Sequence, residues 1–373
     1  MKVLSVFGTR PEAIKMAPLV KALQAEPGIE SVLCVTAQHR QMLDQVLELF
    51  ELTPDYDLNL MKPGQTLSTI TAGVLLGLEE VLKKEQPDLV LVHGDTSTTF
   101  VSALASFYQQ IPVGHVEAGL RTYDKYSPWP EEMNRCMTGR IAELHFAPTE
   151  RNRQNLLAEA IPADKIYVTG NTVIDALLSV ANIPYEFEDP FLASLDFEGK
   201  RVITVTCHRR ENLGENMEHI FGAIREIAEE FPDVEVVYPV HMNPLVRQTA
   251  DKVLGGVSNV NLIEPLTYQP FVNLMKRSYL IVTDSGGMQE EAPALGKPVL
   301  VVRKETERPE AAEAGTVRLA GVEKDTIASL MRELLTDKEA YDAMAHAANP
   351  YGDGTACQQI VAAIKQYALE INK

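Results

Sequence analysis

The chain has 373 residues, 45% hydrophobic, 23% charged and 6% aromatic. This excludes disordered, collagen-like and miniprotein classes, and at about 150 residues per domain it predicts two domains. Acidic side chains outnumber basic ones, 52 to 34, for a formal charge of -18, so the molecule repels nucleic acid and anionic membranes, and any anionic ligand must meet a focused site.

In chain order, the apolar runs Val3 to Phe7, Ser31 to Thr36, Leu89 to His93, Pro112 to Val116, Glu143 to Phe146 and Lys165 to Thr169 predict strands of a mostly buried sheet. Amphipathic stretches lie between them, such as Arg40 to Phe50 with Met42, Leu43, Val46, Leu47 and Phe50 at helical spacing. The pattern restarts with Arg201 to Thr206, Val234 to Val240, Val260 to Ile263, Leu280 to Thr283 and Pro298 to Val302. Each series is βαβα, which predicts two Rossmann-like, doubly wound parallel-sheet domains with ligand sites at the carboxyl ends of their strands. The linker is expected at Ala181 to Pro190, which carries two prolines.

Cys34, Cys136, Cys207 and Cys357 stand at no C-x-x-C or zinc-like spacing and are too few for a disulfide framework. The N-terminal apolar run is too short for a signal peptide, and no apolar stretch approaches about 18 residues. A cytoplasmic protein with no nucleic-acid or membrane partner is expected.

Strand ends carry the chemistry-bearing residues. Gly8-Thr9-Arg10-Pro11-Glu12 opens a helix, where Pro11 and Glu12 are ordinary first-turn residues, but Arg10 and Lys15 are cations suited to a ligand phosphate. Asp95, read plainly, is an N-cap; with Glu117 at a second strand end and Glu131 at a later helix start it also offers carboxylates for acid–base work. Cys207-His208-Arg209-Arg210 crowds an imidazole and two guanidiniums, a costly arrangement without an anion. His241 follows another strand, while His93, His115 and His145 read as core histidines. Ser285-Gly286-Gly287 can bring backbone N–H groups to a phosphate at a helix start and Glu291 could accept from a ribose diol, while the plain alternative is a capped, acid-started helix containing Pro293; Arg308 lies on the same edge. Neither G-x-G-x-x-G after the first strand nor G-x-x-x-x-G-K-[ST] occurs, which argues against the usual dinucleotide and triphosphate grips.

Together these segments resemble the non-hydrolysing UDP-N-acetylglucosamine 2-epimerases almost end to end, through Phe7 to Met16, Thr36 to Arg40, Val92 to Thr96, Gly114 to Thr122, Thr283 to Gly287 and Asn349 to Gly354. The resemblance implies a fold of the GT-B glycosyltransferase type with an interdomain cleft. Its domains are 1–170, with a helix at about 355–373 packing back on it, and a UDP-binding 171–354. It implies substrate contacts at Arg10, Lys15, Asp95, Glu117, His208, Leu266, Phe271, Ser285, Gly286, Gly287, Glu291 and Arg308. Catalytic or sugar-positioning roles fall to Lys15, Asp95, Glu117, Glu131, Arg135 and His208. Gln38, Gln41, Glu131, Arg209 and His241 match positions where bacterial relatives bind a second UDP-N-acetylglucosamine as activator. A homodimer is implied as well. Cys207 departs from a usual Ala or Gly, Ser97 from Thr, and Gly64 stands where some members have Arg.

The chemistry explains such groups. C2 of the sugar adjoins no carbonyl, so direct deprotonation would leave an unstabilised carbanion; breaking the C1–O bond to UDP acidifies C2–H and gives 2-acetamidoglucal. The resemblance implies this elimination and re-addition, with no metal and no redox cofactor. Rival readings are a hydrolysing epimerase that releases UDP, a glycosyltransferase that needs an acceptor, and a nucleotide-sugar-binding regulator without turnover.

Overall fold

A computed structural model describes residues 1–37, 40–60 and 64–371, with the side chains of residues 40 and 41 left aside. The chain divides into two compact units, Met1–Ala176 with Tyr351–Lys373, and Leu177–Pro350. Unit 1 holds the strands β1 (Lys2–Phe7), β2 (Glu30–Val35), β3 (Tyr56–Asp57), β4 (Leu89–His93), β5 (Val113–Val116), β6 (Leu144–Ala147) and β7 (Ile166–Val168). They form one sheet in the order β3-β2-β1-β4-β5-β6-β7, with every pairing parallel. Unit 2 holds β8 (Arg201–Thr206), β9 (Val234–Pro239), β10 (Val260–Ile263), β11 (Leu280–Thr283), β12 (Val299–Val301) and β13 (Val317–Leu319). Its sheet runs β10-β9-β8-β11-β12-β13, again parallel throughout.

The central strands read as apolar runs because helices cover both of their faces: Val3, Leu4, Val6 and Phe7 of β1 are all fully buried. In both sheets the winding direction reverses beside the first strand, between β1 and β4 and between β8 and β11. Open α/β sheets bind ligands outside the carboxyl ends at such a switch point. Gly8 is required just past β1, since a Cβ there would stand 2.0 Å from Thr36 Oγ1. The following helix, Arg10–Ala25, starts on a Thr9–Glu12 capping box with Pro11 in its first turn.

Most expected strands occur within a residue or two of their predicted ends. The short edge strands β3 and β13 were not foreseen. The linker expectation is corrected: the division between units falls inside the helix Thr172–Ala181. Phe187 of the proline-bearing stretch is buried in a cluster with Leu192, Val202, Val237 and Leu274, and Tyr185 packs edge-on against it. Aromatic residues made that stretch part of unit 2 despite its prolines.

The last helix, Ala356–Ile371, belongs to unit 1. Cys357, Ile360, Val361, Ile364 and Tyr367 bury one helical face, and the helix packs against Arg10–Ala25. Its first turn is held by Asp175, whose carboxylate accepts from the N–H groups of Ala356 (3.2 Å) and Cys357 (2.9 Å).

Candidate active site

In unit 1 the switch point is fixed by buried polar residues. Glu12 is 2% exposed. Its Oε2 accepts from Gly8 N (3.1 Å), Thr9 N (2.8 Å) and Thr9 Oγ1 (2.7 Å), and its Oε1 from Thr96 Oγ1 (2.7 Å) and Thr99 Oγ1 (3.1 Å). One carboxylate thus ties the turn after β1 to the turn after β4. His115 adds a second tie, with Nε2 at 2.7 Å from the carbonyl of Gly94, a residue at φ +68° where glycine suits the turn.

Asp95 rides on that turn, and it is not the N-cap. Thr96 takes that role, accepting from Thr99 N over 3.1 Å. Asp95 is instead engaged by side chains of the helix Glu131–Ile141: Arg135 Nη2 lies 2.9 Å from its Oδ2 and Asn134 donates to its carbonyl over 2.9 Å. Burial pushes the Asp95 carboxyl above its ordinary range, against the pull of Arg135. Glu131 adds negative charge nearby.

Glu117, just past β5, sits at φ +60°, a conformation non-glycine residues seldom adopt. Lys15 Nζ meets both of its oxygens, at 2.6 and 2.8 Å. His93 Nε2 approaches Oε2 to 3.0 Å, and Asn171 Nδ2 donates to Oε1 over 3.1 Å. Burial would raise this carboxyl, but Lys15 and His93 outweigh it and hold it well below the usual carboxylate range. Unit 1 therefore gathers Lys15, Asp95, Glu117, Glu131 and Arg135. Arg10 is half-buried at the same switch point, and its side chain makes no hydrogen bond or ion pair with a described residue. Gln38 lies outside the described residues, as does the side chain of Gln41, and Gly64 is exposed at φ +71°.

In unit 2 a cavity of about 290 Å³ opens at the carboxyl ends of β8 and β11. Its lining includes His208, His241, Leu266, Phe271, Ser285 and Glu291. The rings of His208 and His241 stack at 5.0 Å. Burial depresses the His208 imidazole, opposed by Asp284 and assisted by His241 and Arg209; it suits a donor or acceptor whose charge depends on what it meets.

The Ser285-Gly286-Gly287 turn is only partly bare. Ser285 N–H donates to Thr283 Oγ1 over 2.9 Å, whereas the N–H groups of Gly286 and Gly287 have no acceptor among the described residues. Arg308 forms an ion pair with buried Glu290, which fixes its guanidinium. Arg209 Nη1 is 3.6 Å from Glu307.

Residue patterns alone missed His93, Asn171, Asn134 and the anchoring role of Glu12. His93 and Glu12 looked like core and helix-start residues, and the other two carried no local signal.

Two doubly wound sheets, a carboxylate–lysine cluster on one and an apolar, histidine-flanked pocket on the other, define the class of two-domain α/β enzymes that act on nucleotide-linked substrates. The chain belongs to the UDP-N-acetylglucosamine 2-epimerase family, whose model matches residues 21–365. It is 57% identical over 380 residues to the UDP-N-acetylglucosamine 2-epimerase of Salmonella typhimurium, with 100% of both chains covered. A Listeria monocytogenes crystal structure matches with TM-score 0.94 at 54% identity, over 99% of this chain and 97% of that one. The UDP-GlcNAc 2-epimerase of Neisseria meningitidis, bound to UDP-GlcNAc, matches with TM-score 0.85 at 52% identity, over 98% and 100%.

Proposed function

We propose that the protein interconverts UDP-N-acetylglucosamine and UDP-N-acetylmannosamine in the cytoplasm, by elimination and re-addition of UDP through 2-acetamidoglucal, and so supplies cell-surface polysaccharide synthesis. The observation that carries this is the grouping of Asp95, Glu117, Glu131, Lys15 and Arg135 at one switch point, three carboxylates beside two cations. The bound UDP-GlcNAc of the Neisseria relative supports the substrate.

Phe271 and Leu266 offer apolar surface to the uracil, and Glu291 accepts from the ribose. Arg10, His208, Arg308 and the N–H groups of Gly286 and Gly287 meet the diphosphate. As the C1–O bond breaks, its electron pair goes to the β-phosphate oxygen, where these dipoles and charges stabilise it. One carboxylate takes the C2 proton as the C1–C2 double bond forms. Re-addition delivers a proton to the other face of C2 while the UDP oxygen attacks C1. No metal or redox step enters.

We extend the reading to a second UDP-N-acetylglucosamine acting as activator at Gln38, Gln41, Glu131, Arg209 and His241, and to a homodimer. Sigmoidal kinetics in substrate and a molar mass from light scattering test these in turn.

Incubation with UDP-N-acetylglucosamine in heavy water, read by sugar-proton NMR, tests the main reading. The expected product keeps its nucleotide and carries deuterium at C2, and EDTA leaves the rate unchanged. Free N-acetylmannosamine would point to the hydrolysing chemistry, and epimer without deuterium to a route that leaves C2–H intact.

A further inference from the structure

Two residues with no part in the chemistry above, His93 and Asn171, both touch Glu117. They come from elements far apart in sequence, the end of β4 and the segment after β7. His93 and Asn171 are each 3% exposed. With Lys15 they place nitrogen atoms against both oxygens of a carboxylate that is itself 8% exposed. The backbone beneath it, at φ +60°, is held where a side-chain-bearing residue is strained. Both ring nitrogens of His93 are buried and neither meets hydrogen-bond geometry with a described residue, although Nε2 lies 3.0 Å from Glu117 Oε2. Nε2 faces the carboxylate at 3.0 Å while Nδ1 has no described group to which it could pass a proton, so the ring is placed to orient Glu117 and not to relay.

We propose that His93 and Asn171 are positioning residues for the epimerisation, fixing Glu117 as the immobile charged partner of Lys15. This rests on the reading that Lys15 and Glu117 work on the sugar. Glu117 is held well below the ordinary carboxylate range while burial raises Asp95. Environments that drive two carboxyls apart in this way separate a fixed anion from a group able to carry a proton.

Three variants test the role. His93→Leu removes the donor, and His93→Gln returns an amide N–H close to where Nε2 stands. Asn171→Asp keeps the Oδ1 that accepts from Val173 N over 3.1 Å but sets a carboxylate oxygen against Glu117 in place of the N–H. His93→Leu and Asn171→Asp are expected to lower kcat by about 10- to 100-fold, the weight of one hydrogen bond to a charged group, with KM little changed. Both should move the acidic limb of the kcat–pH profile to higher pH, because a carboxylate that loses a donor holds its proton more tightly. His93→Gln should restore both kcat and limb. UDP affinity by calorimetry should be unchanged in all three.

Wild-type kcat with an unmoved limb in His93→Leu and Asn171→Asp overturns the proposal, as does a His93→Gln variant no better than His93→Leu, since shape rather than the donor would then matter. If His93→Leu does not fold, Asn171→Asp decides alone. A failure of the elimination reading shows itself in the wild type, whatever these variants do, as a heavy-oxygen label in the C1–O–P bridge that never reaches the non-bridging β-phosphate positions, with no glucal released, while epimer forms.

Discussion

Asp284 holds the turn that presents His208: its Oδ2 accepts from the His208 N–H over 2.9 Å. The same oxygen accepts from Arg209 N–H (2.8 Å) and from Asn212 Nδ2 (3.0 Å), and the carboxylate is fully buried. Each donor left without an acceptor costs about 1–3 kcal/mol. Asp284→Ala is therefore expected to destabilise the protein by about 3 kcal/mol or more in urea unfolding and to abolish UDP binding. Unchanged stability and affinity would mean that the turn needs no such anchor.

Asp95→Asn, Glu117→Gln and Glu131→Gln are each expected to lower kcat by about 100-fold or more, with calorimetric UDP affinity intact. Near-wild-type turnover in all three would remove both the acid–base assignment of Asp95 and Glu131 and the role of Glu117 as a fixed anion beside Lys15. Arg135→Met removes the charge that restrains the Asp95 carboxyl, so that group should titrate higher still and the acidic limb of kcat/KM should move up in pH. A limb that stays put would dissociate Asp95 from the rate.

Arg308 and Glu291 are assigned to phosphate and ribose, and replacing either with Ala should weaken UDP binding by roughly 1.5–3 kcal/mol. The two should differ in stability. Arg308→Ala removes one ion-pair partner of buried Glu290 and is expected to lower the melting temperature, whereas Glu291→Ala leaves that pair whole. Equal melting temperatures for the two variants would contradict the structural role of the pair.

His115 has no solvent exposure, and burial lowers its pKa to about 3; His145 is lowered to about 4 for the same reason. A folded-state pKa below the unfolded value of about 6.5 favours the native state fully above that pH. The benefit is lost as pH falls from about 6.5 toward the folded values, at about 1.4 kcal/mol per pH unit for each ring. The melting temperature should fall between pH 7 and pH 4.5, and His115→Gln, which retains an N–H for Gly94, should flatten the decline. A variant with the wild-type slope would count against the buried neutral ring.

Much of this was legible in the sequence because a parallel sheet buried on both faces writes itself as apolar runs. β3 and β13 escaped because edge strands of two or three residues, such as Tyr56-Asp57, have no run to show. The charged site residues were legible where they followed a strand. Their partners were not: 102 residues separate Lys15 from Glu117, and 54 separate Asn171 from it. Local rules even misread Asp95, since the neighbouring Thr96 serves equally well as a cap and leaves the carboxylate to Arg135.

Unit 2 is an insertion within unit 1, whose final part is Tyr351–Lys373. On the ribosome, where domains fold as they emerge, the second sheet and all its helices are synthesised before the first unit has received its last helix. The later-made unit can thus be finished first. The earlier part of unit 1 must wait, with the face of Arg10–Ala25 that receives Ala356–Ile371 still bare, until that helix has itself emerged from the exit tunnel.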